Sequence, residues 1–80
     1  MECQICGKRA TDKHHMIHGR GRRAKADKYG LIISVCRQCH RRIHEDRALD
    51  LEIIKSAQEE WEAKFGDREQ FIREFGKSWL

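Results

Sequence analysis

Four cysteines and five histidines are the residues of this chain best suited to chemistry, and their spacing sorts them into groups. The cysteines form two C-x-x-C pairs, Cys3 with Cys6 and Cys36 with Cys39. Each such turn aims two sulfurs at one point, and two turns supply the four thiolates of a tetrahedral structural zinc site. The 29 residues between Cys6 and Cys36 are more than a minimal zinc ribbon needs, so a second function has room between the pairs. A redox dithiol would call for the strand–helix pattern around a thioredoxin-like motif, which is missing here. The histidines are His14, His15, His18, His40 and His44. His40 and His44 are spaced i, i+4, so on a helix they project from one face and can share one metal ion. Cys39 is turned about 100° from His40 on that helix, so one helix start can serve two different metals. The run H-R-R-I-H differs from the zinc-protease H-E-x-x-H, because Arg41 stands at the position of the glutamate.

His14 and His15 precede an apolar pair and read as part of a strand. Strict alternation sends neighbours to opposite faces and puts His14 and His18 on the same one, which makes His18 a rival ligand. Asp12, Asp27 and Glu45 are the nearby carboxylates able to orient ligand histidines. A different pairing is also open: Cys3, Cys6 and His14 on one zinc, with Cys36, Cys39 and either His40 or His44 on another. That would be a double structural finger without catalysis.

Charge separates along the chain. Residues 1–45 carry 11 Lys+Arg against 4 Asp+Glu, a net of +7, and residues 46–80 carry 6 against 9, a net of −3. The basic density peaks in G-R-G-R-R-A-K, residues 19–25, beside the candidate ligands. A polyanion such as nucleic acid suits that half. Arg20, Arg22, Arg23, Lys25, Arg37, Arg41 and Arg42 are the cations placed to hold phosphates.

The elements that must position these groups follow from local pattern. Residues 3–9 read as a metal-binding turn, 14–18 as a short strand, and 19–30 as a basic loop with one helical turn at 24–28. L-I-I-S-V, residues 31–35, is β-branched and apolar and predicts a second strand. A turn at Cys36 becomes a helix near Cys39. Ile54, Ala57, Trp61 and Phe65 recur on one helical face, with Gly66 as its C-cap. D-R-E-Q at 67–70 reads as a capping box, and Phe71, Ile72 and Phe75 face the core from a last helix ended by Gly76. Trp61, Phe65, Phe71, Phe75 and Trp79 are read as core.

Eighty residues exclude a large enzyme with its own substrate domain. A chain this short buries only about 60% of its unfolded surface and generally needs a staple. No run of about 18 apolar residues predicts a membrane span. M-E-C-Q-I-C lacks the profile of a signal peptide, so a cytoplasmic protein is expected.

The segments D-K-H-H-M-I at 12–17 and S-V-C-R-Q-C-H-R-R-I-H at 34–44, with C-Q-I-C at 3–6 ahead of them, resemble the HNH nucleases, also called ββα-metal or His-Me finger nucleases. Zinc-containing members have a C-x-x-C before the H-H and a C-x-x-C-H after the second strand. The resemblance covers residues 3–44. The stretch from Gly19 to Leu31 and the ending F-G-K-S-W-L also look like small HNH-type proteins of phage and prophage genomes. The resemblance implies a treble-clef, ββα-metal core. It implies that His14, His40 and His44 bind a second, catalytic divalent metal (Mg²⁺, Mn²⁺, Ni²⁺ or Zn²⁺). It implies that His15 is the general base. Leu31 stands where the family places its Asn, and the chain has no Asn.

The expectation is therefore a small α+β zinc-stapled domain. Residues 1–45 form a zinc-binding core of β-hairpin plus helix, and residues 46–80 a helical extension of two helices. The expected activity is endonucleolytic hydrolysis of DNA, by nicking or cutting, in the cytosol of a bacterium or a phage-infected host, by a monomer or homodimer. The alternatives are a non-catalytic nucleic-acid-binding zinc finger, or a phage accessory module that binds a protein partner through the acidic helices.

Overall fold

The computed structural model describes residues 1–80. The order is β1 (Asp12–His15), α1 (Arg22–Lys28), β2 (Ile32–Val35), α2 (Arg37–Glu45), α3 (Arg47–Lys64) and α4 (Arg68–Phe75). β1 and β2 pair antiparallel, with Asp12 opposite Val35, His14 opposite Ile33 and His15 opposite Ile32. Ahead of β1 a tight turn carries Cys3 and Cys6, closed by a bridge between Glu2 and Arg9. The result is a small α+β domain with one hairpin and four helices. No helix is long and apolar enough to cross a membrane.

Three local readings need correction. β1 spans Asp12–His15, rather than 14–18: Met16 still donates its N–H to the Leu31 carbonyl at 3.0 Å, and beyond it the chain turns into the core, where Ile17 is fully buried. The basic stretch is not a loop with one turn at 24–28. Residues Arg22–Lys28 form α1, whose Ala26 is fully buried and whose far side carries the charges. Alanine is the best helix former, and Ala24 and Ala26 sit inside the segment. α2 begins at Arg37, ahead of Cys39, because Cys36 caps it: the Cys36 Sγ accepts the Cys39 N–H at 3.4 Å. The same turn thus starts the helix and aims both sulfurs of the pair.

Asp46 ends α2 and caps α3, accepting the N–H groups of Ala48 and Leu49. α3 buries Asp50, Ile53, Ile54, Ala57, Gln58 and Trp61, one stripe at helical spacing. Phe65, expected on that stripe, lies at its end and is 49% exposed. Gly66 follows the cap rather than forming it, and its φ is not positive. A side chain there would collide with Gln70 Oε1 and come within 3.1 Å of the Trp61 ring. The capping box at Asp67 and Gln70 is present, and Gly76 ends α4 with φ 90°. Ile72 faces solvent, contrary to its expected core position.

Phe71 and Phe75, both buried, stack at 4.6 Å and meet Trp61 edge-on. Gln58 is fully buried and fully used. Its amide donates to Glu62 and Ser78, and its oxygen accepts the Trp79 N–H at 2.8 Å. These bonds hold the C-terminal segment on α3, and a single core cluster running from Cys3 to Phe75 joins the extension to the cysteine-bearing half.

Candidate metal centres and the histidine cleft

The four sulfurs converge. Cys3, Cys6, Cys36 and Cys39 bring their Sγ atoms within 4.8 Å of one another, and Cys6 and Cys36 are 3.6 Å apart. A disulfide would need about 2.05 Å. Four sulfurs around a tetrahedral zinc at about 2.3 Å stand about 3.8 Å apart, so the set fits a metal of that size. Three of the four cysteines are buried. Burial pushes the Cys3 thiol up, but backbone N–H groups of Cys6, Cys36 and Ile5 outweigh it and bring its pKa to about 6. The Cys39 N–H lowers that of Cys36, against the opposing effect of burial. Burial and the neighbouring sulfurs push Cys39 up to about 12. Thiols this close do not all ionise unless a cation shares the charge. The cluster can hold a metal.

A second cluster joins β1 to α2. His14, His40 and His44 place ring nitrogens within 4.8 Å of one another. Their ring centroids are 5.4 Å (His14–His40), 6.0 Å (His14–His44) and 5.1 Å (His40–His44) apart. His14 is 4% exposed, and its Nε2 has no hydrogen-bond partner in the chain. Buried polar atoms are almost always satisfied, so an orphaned nitrogen facing two imidazoles fits a missing cation. Burial, then the charges His40, His18 and His44 would carry, lower the His14 pKa to about 4. His14 is therefore neutral at physiological pH, the form that donates a lone pair to a metal. His40 Nδ1 donates to Asp12 Oδ2 at 3.0 Å, which leaves Nε2 free for a ligand. That bond, more than any other contact, holds the Asp12 carboxyl below its usual range.

The two clusters are separate, so the double finger that mixes Cys and His in each site is not what this fold builds. His18 is not in the triad. Its Nε2 lies 2.9 and 3.1 Å from the two carboxylate oxygens of Asp50, which is buried and also accepts from Arg47 at 2.8 Å. Asp50 sits 32 positions from His18 on a helix read only as core, and no local signal pointed to it. Glu45 orients none of the histidines, whereas Asp27 Oδ1 lies 3.7 Å from His15 Nε2.

These groups line a cleft of about 430 Å³ walled by Lys13, His14, His15, His18, Gly19, Arg23, His40 and His44, with no apolar residue. His14 and His15 both reach it despite their alternation, because the cleft lies where β1 ends and its second edge is unpaired. Lys13 is a cation of the cleft that the sequence reading passed over.

The expected phosphate contacts divide. Arg20, Arg23, Arg41 and Arg42 are exposed and free of ion pairs, and Arg37 is 77% exposed beside Asp12. Arg22 and Lys25 are committed elsewhere. Arg22 Nε donates to the Phe75 carbonyl at 2.8 Å, and its guanidinium lies 5.1 Å from the Trp79 ring centre. Lys25 pairs with Glu74, which also accepts the Tyr29 hydroxyl. Both residues fasten α1 to α4, and of the two only Lys25 has its charge paired.

A small α+β domain with a cysteine cluster and a histidine cleft is the class this geometry defines. The chain belongs to the family described as Protein of unknown function (DUF968), whose model matches residues 1–78. No curated protein and no solved structure matches it.

Proposed function

We propose that this chain is a metal-dependent endonuclease of the HNH kind that hydrolyses DNA phosphodiester bonds in the cytoplasm. The observation that carries the reading is the buried, unpartnered His14 Nε2 beside His40 and His44, in a cleft that also holds His15 and Arg23. In this reading Cys3, Cys6, Cys36 and Cys39 hold structural zinc and make the hairpin and α2 a treble clef. His14, His40 and His44 hold a second divalent ion, of magnesium, manganese, nickel or zinc. Bound there, such an ion supplies Lewis-acid stabilisation of charge on the scissile phosphate and its leaving oxygen.

The chain's own residues do the rest. Asp12 fixes the His40 ring so that Nε2 faces the cleft. His15 lines the cleft and takes a proton from the attacking water at a ring nitrogen, with the Asp27 carboxylate 3.7 Å from its Nε2. The imidazolium so formed is stabilised by the Asp27 carboxylate 3.7 Å away. Arg23 and Lys13 neutralise the phosphate in the cleft, and Arg20, Arg41 and Arg42 extend that field along the strand.

One observation favours a second reading, a nucleic-acid-binding zinc finger without catalysis. Leu31 replaces the Asn of the HNH pattern and is buried, 1% exposed, so it cannot orient His15. Plasmid cleavage by the purified protein separates the two. Metal-dependent nicking that is lost in His15→Ala, with DNA binding kept, supports the nuclease. Salt-sensitive DNA binding with no cleavage in Mg²⁺, Mn²⁺, Ni²⁺ or Zn²⁺ supports the binder and rejects the nuclease.

A further inference from the structure

Two buried side-chain polar atoms have no partner in the molecule. One is His14 Nε2, in the histidine cleft. The other is the indole Nε1 of Trp61, a residue 3% exposed. Trp61 lines a separate cavity of about 290 Å³ with Tyr29, Phe65, Gln70, Arg73 and Glu74. Three aromatic rings meet there. Tyr29 lies 4.9 Å from Phe65 and 5.6 Å from Trp61, the latter at 88°. Phe65 leaves half of its surface to solvent at the mouth. The nuclease reading uses none of these groups.

The polar rim suits a planar partner that accepts hydrogen bonds. Glu74 is already neutralised by Lys25 and the Tyr29 hydroxyl. Gln70 spends its oxygen on the Asp67 N–H at 2.9 Å, so its amide hydrogens remain to donate. Arg73 is 76% exposed, with only a 4.0 Å approach to Glu69. The site therefore offers aromatic rings and the free donors of Gln70 and Arg73 to a flat group rich in acceptors. A nucleobase is such a group, and any base can stack on an aromatic face.

The cavity is also placed along the substrate path. α1 links it to the histidine cleft: Arg23 lines the cleft and Tyr29, just past the other end, lines the cavity. Six residues of helix separate them by about 9 Å. We propose that the Tyr29–Trp61–Phe65 cavity receives an unstacked base of the same nucleic-acid strand whose phosphate enters the histidine cleft. The inference rests on the nucleic-acid reading above. It assigns the protein a preference for single-stranded or locally unpaired substrate, because a base inside a duplex is not free to enter.

The test is binding by the full-length, zinc-loaded chain, followed by fluorescence anisotropy in EDTA-free buffer with no added second metal. The probes are a labelled 12-nucleotide thymidine strand, the same strand with abasic sites, and a labelled duplex hairpin. The variant is Phe65→Leu, which removes the ring but keeps apolar bulk at a half-exposed position, with circular dichroism to confirm folding. Removing one base–aromatic stack should weaken single-strand binding about tenfold and leave duplex binding unchanged. Abasic substitution should weaken wild-type binding similarly and affect the variant little. Quenching of tryptophan fluorescence by thymidine monophosphate, retained in Trp79→Phe and weakened in Phe65→Leu, would support the cavity directly. Equal single-strand affinity of wild type and Phe65→Leu, with both proteins binding DNA, overturns the cavity and leaves the nucleic-acid reading standing. Absence of binding to every probe overturns both.

Discussion

Asp12→Asn tests the histidine cleft at its most diagnostic bond. Of the three clustered imidazoles, only His40 has a carboxylate on its second nitrogen, Asp12 Oδ2 at 3.0 Å. Asp12 comes from β1 and His40 from α2, so the bond also fixes the strand against the helix that carries two of the three nitrogens. Because His40 holds the Asp12 carboxyl below its usual range, the group is ionised at neutral pH, and the imidazole feels a full negative charge. Carboxylates in this position are worth about 10- to 100-fold in metal affinity. Asparagine keeps an oxygen for the Nδ1–H bond and loses the charge, so about tenfold is expected. Alanine loses both and should approach a hundredfold.

The assay is calorimetric titration of Ni²⁺ or Mn²⁺ into protein whose cysteine cluster has already been filled with zinc. Asp27→Asn is the control, because Asp27 is 67% exposed and approaches only His15, at 3.7 Å. It should leave metal affinity unchanged. The reasoning is refuted if Asp12→Ala binds within about threefold of wild type. It is refuted equally if Asp27→Asn costs as much, since the effect would then be general field and not orientation of His40.

Four other outcomes are expected. Full metal removal by a strong chelator should abolish the circular dichroism of at least the segment 1–45, since structural zinc contributes folding free energy on the order of 10 kcal/mol; an unchanged spectrum would sink the staple. Arg41→Ala with Arg42→Ala should lower DNA affinity and reduce the slope of log K against log salt by about two, whereas Arg22→Ala should lower melting temperature more than it alters that slope. Glu74→Gln should lower melting temperature near neutrality. Hydrogen bonds from Lys25 and then Tyr29 depress the pKa of Glu74 in the folded state. Its stabilisation is therefore complete above the unfolded value near 4.3 and is lost as pH falls through the lower folded value; melting curves of both proteins from pH 6 to 2 should converge at the acid end, and a constant difference would count against the assignment. Phe71→Ala should cost about 3–5 kcal/mol in urea unfolding, because Phe71 is fully buried against Phe75 and Trp61; a loss under 1 kcal/mol would mean that α4 is not part of the core.

What could be read from the sequence was whatever local geometry dictates. A C-x-x-C turn and an i, i+4 histidine pair carry their geometry with them, and the structure brings those residues together as their spacing required. Capping chemistry is equally local, and the Asp67 box is in place. Groups whose role depends on a distant partner were misread or missed. Arg22 and Lys25 read as phosphate contacts because their neighbours in sequence are basic. Their real partners, Phe75 and Glu74, lie 53 and 49 positions away. Asp50 carries no local mark of its role, and only the packing of α3 near the end of β1 buries it against His18. Ile72 and Phe65 satisfied a helical period, but each lies at the edge of a stripe too narrow to cover it.

The cysteine cluster and the histidine cleft are coupled through α2, and this explains why so small a chain keeps both. Cys36 caps the helix, Cys39 lies in its first turn, His40 follows directly and His44 stands one turn later. β2 ends at Val35, directly before Cys36, and Val35 is the register partner of Asp12. A metal on the four sulfurs therefore fixes the start of α2 and the end of β2 together. Those two elements set where His40 meets Asp12 and where His14, opposite Ile33, meets both α2 histidines. Burying His14 without a partner costs stability that a core of 16 buried apolar residues can ill spare. A metal on the four cysteines would offset that cost at one end of α2, with the orphaned nitrogen at the other.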